Sequence, residues 1–225
     1  MKPYYQDDQV TLYHGDCLEV AEWLNADVLV TDPPYGIGWN QPAYKTKGAT
    51  EGTRTTAHAG IQNDGDTSVR DEVIFRWRMK PGIVFGAIDR KWPVGTNRVL
   101  VWKKPNDSGL FGQSIWRKDW EAIFVTGAWE RLPATESAVI TTGAGSHRQY
   151  AQGIHPHAKP IDVLEKLIAK CPTGVIADPF AGSGSTLIAA RNLGRQAIGV
   201  ELEERYCEII AKRLDQMCLD FGGAS

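Results

Sequence analysis

Short apolar runs recur along the chain and alternate with segments of helical spacing. The runs predict strands at residues 10–14, 28–31, 83–85, 98–102, 122–125, 175–177 and 197–200. Helical spacing predicts helices at residues 17–24, 67–79, 161–170, 186–192 and 203–214. This alternation is typical of an α/β fold, a mostly parallel twisted sheet with helices on both faces. The loop before the 122–125 run is too short for a long crossover helix, which predicts an antiparallel edge strand.

A chain of 225 residues can bury a sizeable core, and we predict a single domain, 1–225. An irregular segment, 128–153, separates an N-terminal half, 1–127, from a C-terminal half, 154–214. Residues 36–66 are rich in small and polar residues, which favours a mobile loop that closes over a substrate over a solvated insertion. The net charge of −2 gives no overall basic character, so contacts to phosphates must be local. The candidates for nucleic-acid contact in this loop are Trp39, Lys45, Lys47 and Arg54.

The cysteines and the N-terminus bear on the cellular setting. The four cysteines include no C-x-x-C pair and no matched spacing with histidine, which argues against a zinc site or a disulfide framework. Residues 1–8 are polar, and no apolar run approaches the length of a membrane span. We therefore expect a cytoplasmic protein without a membrane partner.

The residues directly after the apolar run 28–31 form the first candidate ligand site. Pro33 and Pro34 cannot donate backbone hydrogen bonds and fix their own φ, so the chain leaves the sheet as a stiff extended segment. This segment presents the Asp32 carboxylate, free carbonyl oxygens and the flat ring of Tyr35. Such a group suits a planar amine, because the oxygens accept its protons while the ring stacks on its face. An ordinary strand-ending turn is the alternative.

A glycine-rich turn and a following acid form the second candidate site. Residues 178–186 follow a predicted strand and lead into a helix. Gly182 and Gly184 allow a tight turn and a close approach to a ligand, and Glu201 ends the next strand, where an acid can bind both ribose hydroxyls. The sequence lacks the third glycine of the dinucleotide fingerprint and a phosphate-loop Gly-Lys-Ser/Thr, which disfavours a pyrophosphate ligand. A turn that serves only helix–strand packing is the alternative.

Together these regions resemble the amino-group DNA methyltransferases that use S-adenosylmethionine. Residues 32–35 resemble their catalytic motif, and residues 178–184 resemble their cofactor motif. Residues 155–160, His-Pro-His-Ala-Lys-Pro, are similar to the family's His-Pro-x-x-Lys-Pro signature. The catalytic motif comes first, which is the permuted order of the family's β group, and residues 15–17 lie where that group begins. The resemblance covers nearly the whole chain and implies one Rossmann-like methyltransferase domain, with the catalytic half before the cofactor-binding half.

The resemblance also implies roles for individual residues. The implied catalytic residues are Asp32, Pro33, Pro34 and Tyr35. The implied residues of the S-adenosylmethionine site are Asp16, Lys159, Asp178, Pro179, Phe180, Ala181, Gly182, Ser183, Gly184, Ser185, Thr186 and Glu201. Among these, Glu201 would hold the ribose, Asp16 would lie near the cofactor adenine, and Lys159 would approach the carboxylate. His155 and His157 have no apparent third ligand, so no metal is expected.

The implied reaction is direct methyl transfer to the N6 amine of an adenine flipped out of DNA. The nearest alternative is N4 of cytosine, although Asp32 favours adenine because cytosine enzymes of the family more often carry Ser there. Enzymes that methylate RNA or protein glutamine usually place the cofactor motif first, and an inactive DNA-binding module would not need both motifs intact. The chain has little room for a separate target-recognition segment, so we expect short or relaxed specificity, or dependence on dimerisation. The partner is DNA, the protein is a monomer or homodimer, and the sequence reveals no cognate restriction nuclease.

Overall fold

The computed structural model describes residues 1–38, 64–104, 115–130, 136–141 and 158–221. The strands of its sheet are β1 Tyr5–Gln6, β2 Val10–His14, β3 Val28–Thr31, β4 Gly82–Gly86, β5 Thr96–Lys103, β6 Trp120–Thr126, β7 Val139–Thr141, β8 Ile176–Asp178 and β9 Ala197–Glu201. The α-helices of these residues are α1 Ser68–Trp77, α2 Ile161–Ile168, α3 Ser185–Asn192 and α4 Glu204–Phe221. None of the helices in the described ranges is long and apolar enough to span a membrane.

The strands lie in the order β1-β2-β9-β8-β3-β4-β6-β5-β7. All neighbouring pairs from β2 to β4 are parallel, so the carboxyl ends of five strands meet at one edge of the sheet. This arrangement confirms the predicted α/β fold with a mostly parallel sheet. The predicted antiparallel strand is β6, but it lies between β4 and β5 rather than at the edge. Strand β1, which the sequence did not predict, forms an antiparallel edge beside β2.

Side chains of the central strands pack alternately into two cores, one on each face of the sheet. In β3, Val28 and Val30 belong to the core beneath α2, α3 and α4. Leu29 points the other way, into the core that holds α1 and Trp23. Burial on both faces explains why the sequences of these strands are nearly uninterrupted apolar runs. It also confirms the prediction of helices on both faces.

Two predictions of local structure were wrong. Residues 17–24 form a turn followed by a short 3₁₀ helix, Glu22–Asn25, instead of a longer helix. Asp16 explains the turn, because its Oδ1 accepts the Leu18 N–H at 2.8 Å and its backbone carbonyl accepts the N–H groups of Glu19 and Val20. The segment 128–153, predicted to be irregular, contains strand β7. This edge strand is short and half exposed, so its sequence has no pattern long enough to predict it.

Candidate active site

A cavity of about 520 Å³ opens at the carboxyl ends of the parallel strands. Every site residue predicted within the described ranges lines it, except Gly184. The residues after β3 and those after β8 and β9, distant in sequence, therefore face one space. The predicted nucleic-acid contacts Trp39, Lys45, Lys47 and Arg54 lie outside the described residues, as does most of the predicted loop.

Asp32 follows β3 and presents its carboxylate to this cavity. The Tyr35 hydroxyl donates to Asp32 Oδ1 at 2.8 Å, which fixes both side chains across the intervening prolines. Burial, together with the Asp32 and Glu121 carboxylates, raises the pKa of Tyr35 well above its ordinary value. The phenol therefore stays protonated and acts as a donor.

Asp64, which the sequence did not single out, holds the chain that leaves Tyr35. This side chain is buried, and its Oδ1 accepts the Gly36 N–H at 2.7 Å and the Ile37 N–H at 3.3 Å. Gly36 has φ of +71°, and a Cβ there would lie 2.8 Å from the Asp66 backbone. The chain after residues 32–35 is thus fixed by a buried carboxylate and a glycine that tolerates the turn.

Lys159 connects Asp32 to a second carboxylate. Its Nζ lies 2.6 Å from Asp32 Oδ2 and 3.3 Å from Glu121 Oε2. Burial alone would lower the pKa of Lys159, but the two carboxylates outweigh that effect and raise it. Lys159 therefore remains a buried cation on Asp32. Its predicted contact with a cofactor carboxylate stays a prediction.

The part of the cavity that lies after β8 and β9 is built on two buried acids. Asp178 ends β8, and its Oδ1 accepts the Thr31 hydroxyl at 2.7 Å and the Phe180 N–H at 3.1 Å. Burial raises the pKa of Asp178 to about 6, against the lowering effect of these hydrogen bonds. Glu201 ends β9, and burial raises its pKa to about 7. The hydrogen bond from Thr31 to Asp178 thus connects the first candidate site, after β3, directly to the second, after β8.

The two glycines of the turn differ in their surroundings. Gly182 has φ of +54°, lines the cavity and donates its N–H to Glu201 Oε2 at 2.7 Å. Gly184 has φ of +81° and lies outside the cavity lining, where a Cβ would come within 2.8 Å of Ile210. Gly182 therefore shapes the cavity, whereas Gly184 allows α3 to approach α4.

The cavity also contains a cysteine, Cys17. Burial and the nearby Asp16 carboxylate raise the pKa of Cys17 to about 12. Burial likewise raises the pKa of Cys171 and Cys207 to about 12. A thiol with such a pKa is protonated at neutral pH and is a weak nucleophile. The cysteines whose side chains are described here therefore offer no activated thiolate.

Glu121 is a second residue of the site, after Asp64, that sequence reasoning missed. It lies in β6, and its Oε1 accepts from Lys104 Nζ at 2.5 Å. Burial alone would raise its pKa, but Lys159 and Lys104 outweigh this effect and lower it to about 2. The only signal in the sequence was a charged residue next to the predicted apolar run 122–125. This signal does not reveal the contact with Tyr35, which is 86 positions away in the sequence.

The model of the family described as "DNA methylase" matches residues 86–212 of this chain. A putative methylase from Escherichia coli, YubD, is 47% identical over an alignment of 218 residues, which covers 89% of this chain and 88% of that protein. The type II methyltransferase M.ScaI of Streptomyces caespitosus is 25% identical over 258 aligned positions, which cover 95% of this chain and 84% of that protein.

Two solved structures share this fold. The crystal structure of an M1.HpyAVI–SAM complex superposes with a TM-score of 0.59 at 19% identity, covering 91% of this chain and 99% of that one. The PvuII DNA methyltransferase, described as cytosine-N4-specific, superposes with a TM-score of 0.60 at 16% identity. That match covers 93% of this chain and 88% of the other.

Proposed function

This chain belongs to the DNA methylase family, and from that premise we propose that it methylates the exocyclic N6 amine of adenine in DNA. DNA methyltransferase activity at an amino group is common to the family; the choice of adenine is the proposal. One observation carries the assignment of the site. The Asp32 carboxylate and the glycine turn at Gly182 face the same cavity, so an amine acceptor and a cofactor turn lie side by side.

The cofactor is S-adenosylmethionine, which supplies a methyl group on a positively charged sulfur. The described residues fit it. Each oxygen of Glu201 already accepts one backbone N–H, from Gly182 or Glu203, and each retains a lone pair for a ribose hydroxyl. Asp178 places a second acid within the cavity, suited to the positive groups of the ligand. We assign Phe180 and Gly182 to its methionine end and Asp16 to the side of its adenine.

Asp32 and the Pro33 carbonyl are the proposed acceptors for the two protons of the target amine. The lone pair of such an amine is delocalised into the base, which makes the nitrogen a poor nucleophile. Two acceptors on its protons favour a pyramidal nitrogen with a localised lone pair, and they stabilise the positive charge that develops as the nitrogen–methyl bond forms. The methyl donor would leave as a neutral thioether, the surplus proton of the methylated amine would pass to the Asp32 carboxylate, and the enzyme needs no covalent bond to the base.

Tyr35 is the proposed stacking surface for the base. Its ring lies beside Asp32 and is held there by the hydroxyl contact. A base within a duplex cannot reach a cavity in the protein, so it must be flipped out or unpaired before it stacks. Tyr35 thereby orients the ring while Asp32 engages the amine, and this positioning lowers the entropic part of the barrier.

The support for adenine over cytosine is the identity of residue 32. Enzymes of this family that methylate cytosine more often carry Ser at the corresponding position, whereas Asp is typical of adenine enzymes. A full negative charge is also the stronger acceptor for an N–H.

The direct test is to incubate the protein with isotope-labelled S-adenosylmethionine and unmethylated DNA, then identify the labelled nucleoside by mass. We expect N6-methyladenine. Labelled N4-methylcytosine would retain the mechanism and overturn the choice of base. A protein that binds the cofactor but leaves DNA unlabelled would contradict the proposal and direct attention to RNA or protein substrates.

A further inference from the structure

Two donors of the site are each shared between two carboxylates. Lys159 Nζ lies 2.6 Å from Asp32 Oδ2 and 3.3 Å from Glu121 Oε2. The Tyr35 hydroxyl lies 2.8 Å from Asp32 Oδ1 and 3.3 Å from the same Glu121 oxygen. Both donors are therefore closer to Asp32, and Glu121 is within reach of both.

This sharing matters because both oxygens of Asp32 already accept a strong hydrogen bond. An ammonium and a phenol on the carboxylate weaken it as an acceptor for a third donor, the amine of the base. The Lys159 cation on Asp32 also opposes the positive charge that develops on that amine. For Asp32 to accept a strong hydrogen bond from the amine, Lys159 and Tyr35 need another acceptor.

We propose that Glu121 is a positioning residue that accepts Lys159 and Tyr35 when the target amine takes their place on Asp32. The geometry requires only small side-chain movements, since each donor already lies within 3.3 Å of Glu121 Oε2. Glu121 touches neither base nor cofactor in this role and acts through the two donors.

Two further features suit Glu121 to this exchange. Its pKa of about 2 keeps it charged at neutral pH, so it can hold a cation. Its other oxygen, Oε1, is fixed by Lys104 at 2.5 Å, which orients Oε2 toward the site. Lys104 and Lys159 together balance the charges of Glu121 and Asp32, so moving one cation between the carboxylates leaves the total charge of the cluster unchanged.

The test compares Glu121→Gln with the exposed control Glu136→Gln, which removes a surface ion pair with Lys170. This inference rests on the proposed function, so the readout is the single-turnover rate of DNA methylation at saturating S-adenosylmethionine. Active protein is counted by cofactor-binding stoichiometry. We expect Glu121→Gln to lower the rate by about 10–100-fold, as the loss of a hydrogen-bonded outer partner does at metal sites. The dissociation constant of the cofactor should change less than about twofold, and Glu136→Gln should match the wild type.

A second variant separates positioning from a purely structural role. Glu121→Asp keeps the charge but withdraws the carboxylate by one methylene, and we expect it to bind cofactor normally while methylating more slowly than the wild type. The Glu121→Gln change should also have less effect in a Tyr35→Phe background, because one of the shared donors is then gone. Wild-type rates in both Glu121 variants would overturn the inference while leaving the proposed function intact. Wild-type protein that fails to label DNA would instead overturn the proposed function.

Discussion

The ammonium of Lys159 lies 2.6 Å from Oδ2 of Asp32, so the proposed acceptor for the target amine carries a buried counterion. This pair joins two segments 127 positions apart, one after β3 and one before α2. The pairing explains how a carboxylate at a strand end is oriented, since Lys159 and Tyr35 each hold one of its oxygens. It also means that changes at Asp32 and Lys159 are not independent.

Asp32→Asn should nearly abolish methyl transfer and leave cofactor binding unchanged. The amide keeps the shape of the side chain but loses the charge that accepts the amine protons, and we expect a rate loss of about 10²–10³-fold or more. Lys159 keeps Glu121 as a counterion, so the variant should fold. The control is Asp215→Asn on the exposed side of α4. Single-turnover methylation and calorimetric titration with S-adenosylmethionine measure the two effects, and a variant that retains most of its rate would refute the role of Asp32.

Two substitutions of Tyr35 should separate its ring from its hydroxyl. Tyr35→Ala removes the stacking surface, and we expect a loss of about 1–3 kcal/mol in affinity for single-stranded DNA that carries the target base. Tyr35→Phe keeps the ring and removes only the hydroxyl that donates to Asp32, so the affinity should be retained. Fluorescence anisotropy with a labelled strand measures the affinity. Equal affinity of wild type and Tyr35→Ala would exclude a stacking role.

The sheet was predictable because its central strands are buried on both faces. Each of them packs into two cores, so strands such as 28–31 and 83–85 consist mainly of apolar residues and have a clear end. Their order was not predictable in the same way. Strands β8 and β9 lie between β2 and β3 although they come last in the chain, and nothing local in the sequence specifies that insertion. The 3₁₀ turn after β2 was missed because its apolar spacing resembles a helix, while Asp16 satisfies the amides of a turn.

The site was predictable where its chemistry lies in one continuous segment. Asp32 and Tyr35 are three positions apart, and Gly182 lies close to Asp178 in the same turn. Glu121 and Asp64 act on these segments from elsewhere in the fold, and each lies in a segment without a motif. Their roles come from tertiary distances, which a single sequence does not contain.

Gly182 in the turn and Gly194 after α3 offer a matched pair for testing the cofactor site. Gly182 and Gly194 have similar φ values of +54° and +68°, and an added Cβ would meet nothing closer than 3.9 Å at either position. Alanine at either position should therefore lower the free energy of unfolding by about 1 kcal/mol through backbone strain. Only Gly182 lines the cavity, so only Gly182→Ala should weaken binding of S-adenosylmethionine. Thermal unfolding and calorimetric titration of both variants provide the comparison, and equal cofactor affinities would argue against a cofactor role for this turn.

Glu201 should make the stability of the cofactor-free protein depend on pH. Burial raises its pKa from an ordinary 4.5 to about 7, so the folded state holds a proton that the unfolded state has released. The protonated carboxyl therefore makes its full contribution to the free energy of unfolding below pH 4.5. This contribution is lost as the pH rises from 4.5 to about 7. Relative to Glu201→Gln, the wild type should therefore lose up to about 3 kcal/mol across that window. Urea unfolding at several pH values measures the difference, and Glu208→Gln on the exposed side of α4 is the control.

The same carboxyl should couple cofactor binding to proton release. Ribose hydroxyls donate more strongly to a carboxylate than to a neutral acid, so bound S-adenosylmethionine should favour the ionised form of Glu201 and lower its pKa. Affinity should then increase as pH rises through about 7, the pKa of the free protein, and level off above it. Calorimetric titrations in buffers of different ionisation enthalpy count the protons released, with Glu201→Gln binding more weakly and without this pH dependence. An affinity that is flat from pH 6 to 8 in the wild type would show that the ribose does not engage Glu201.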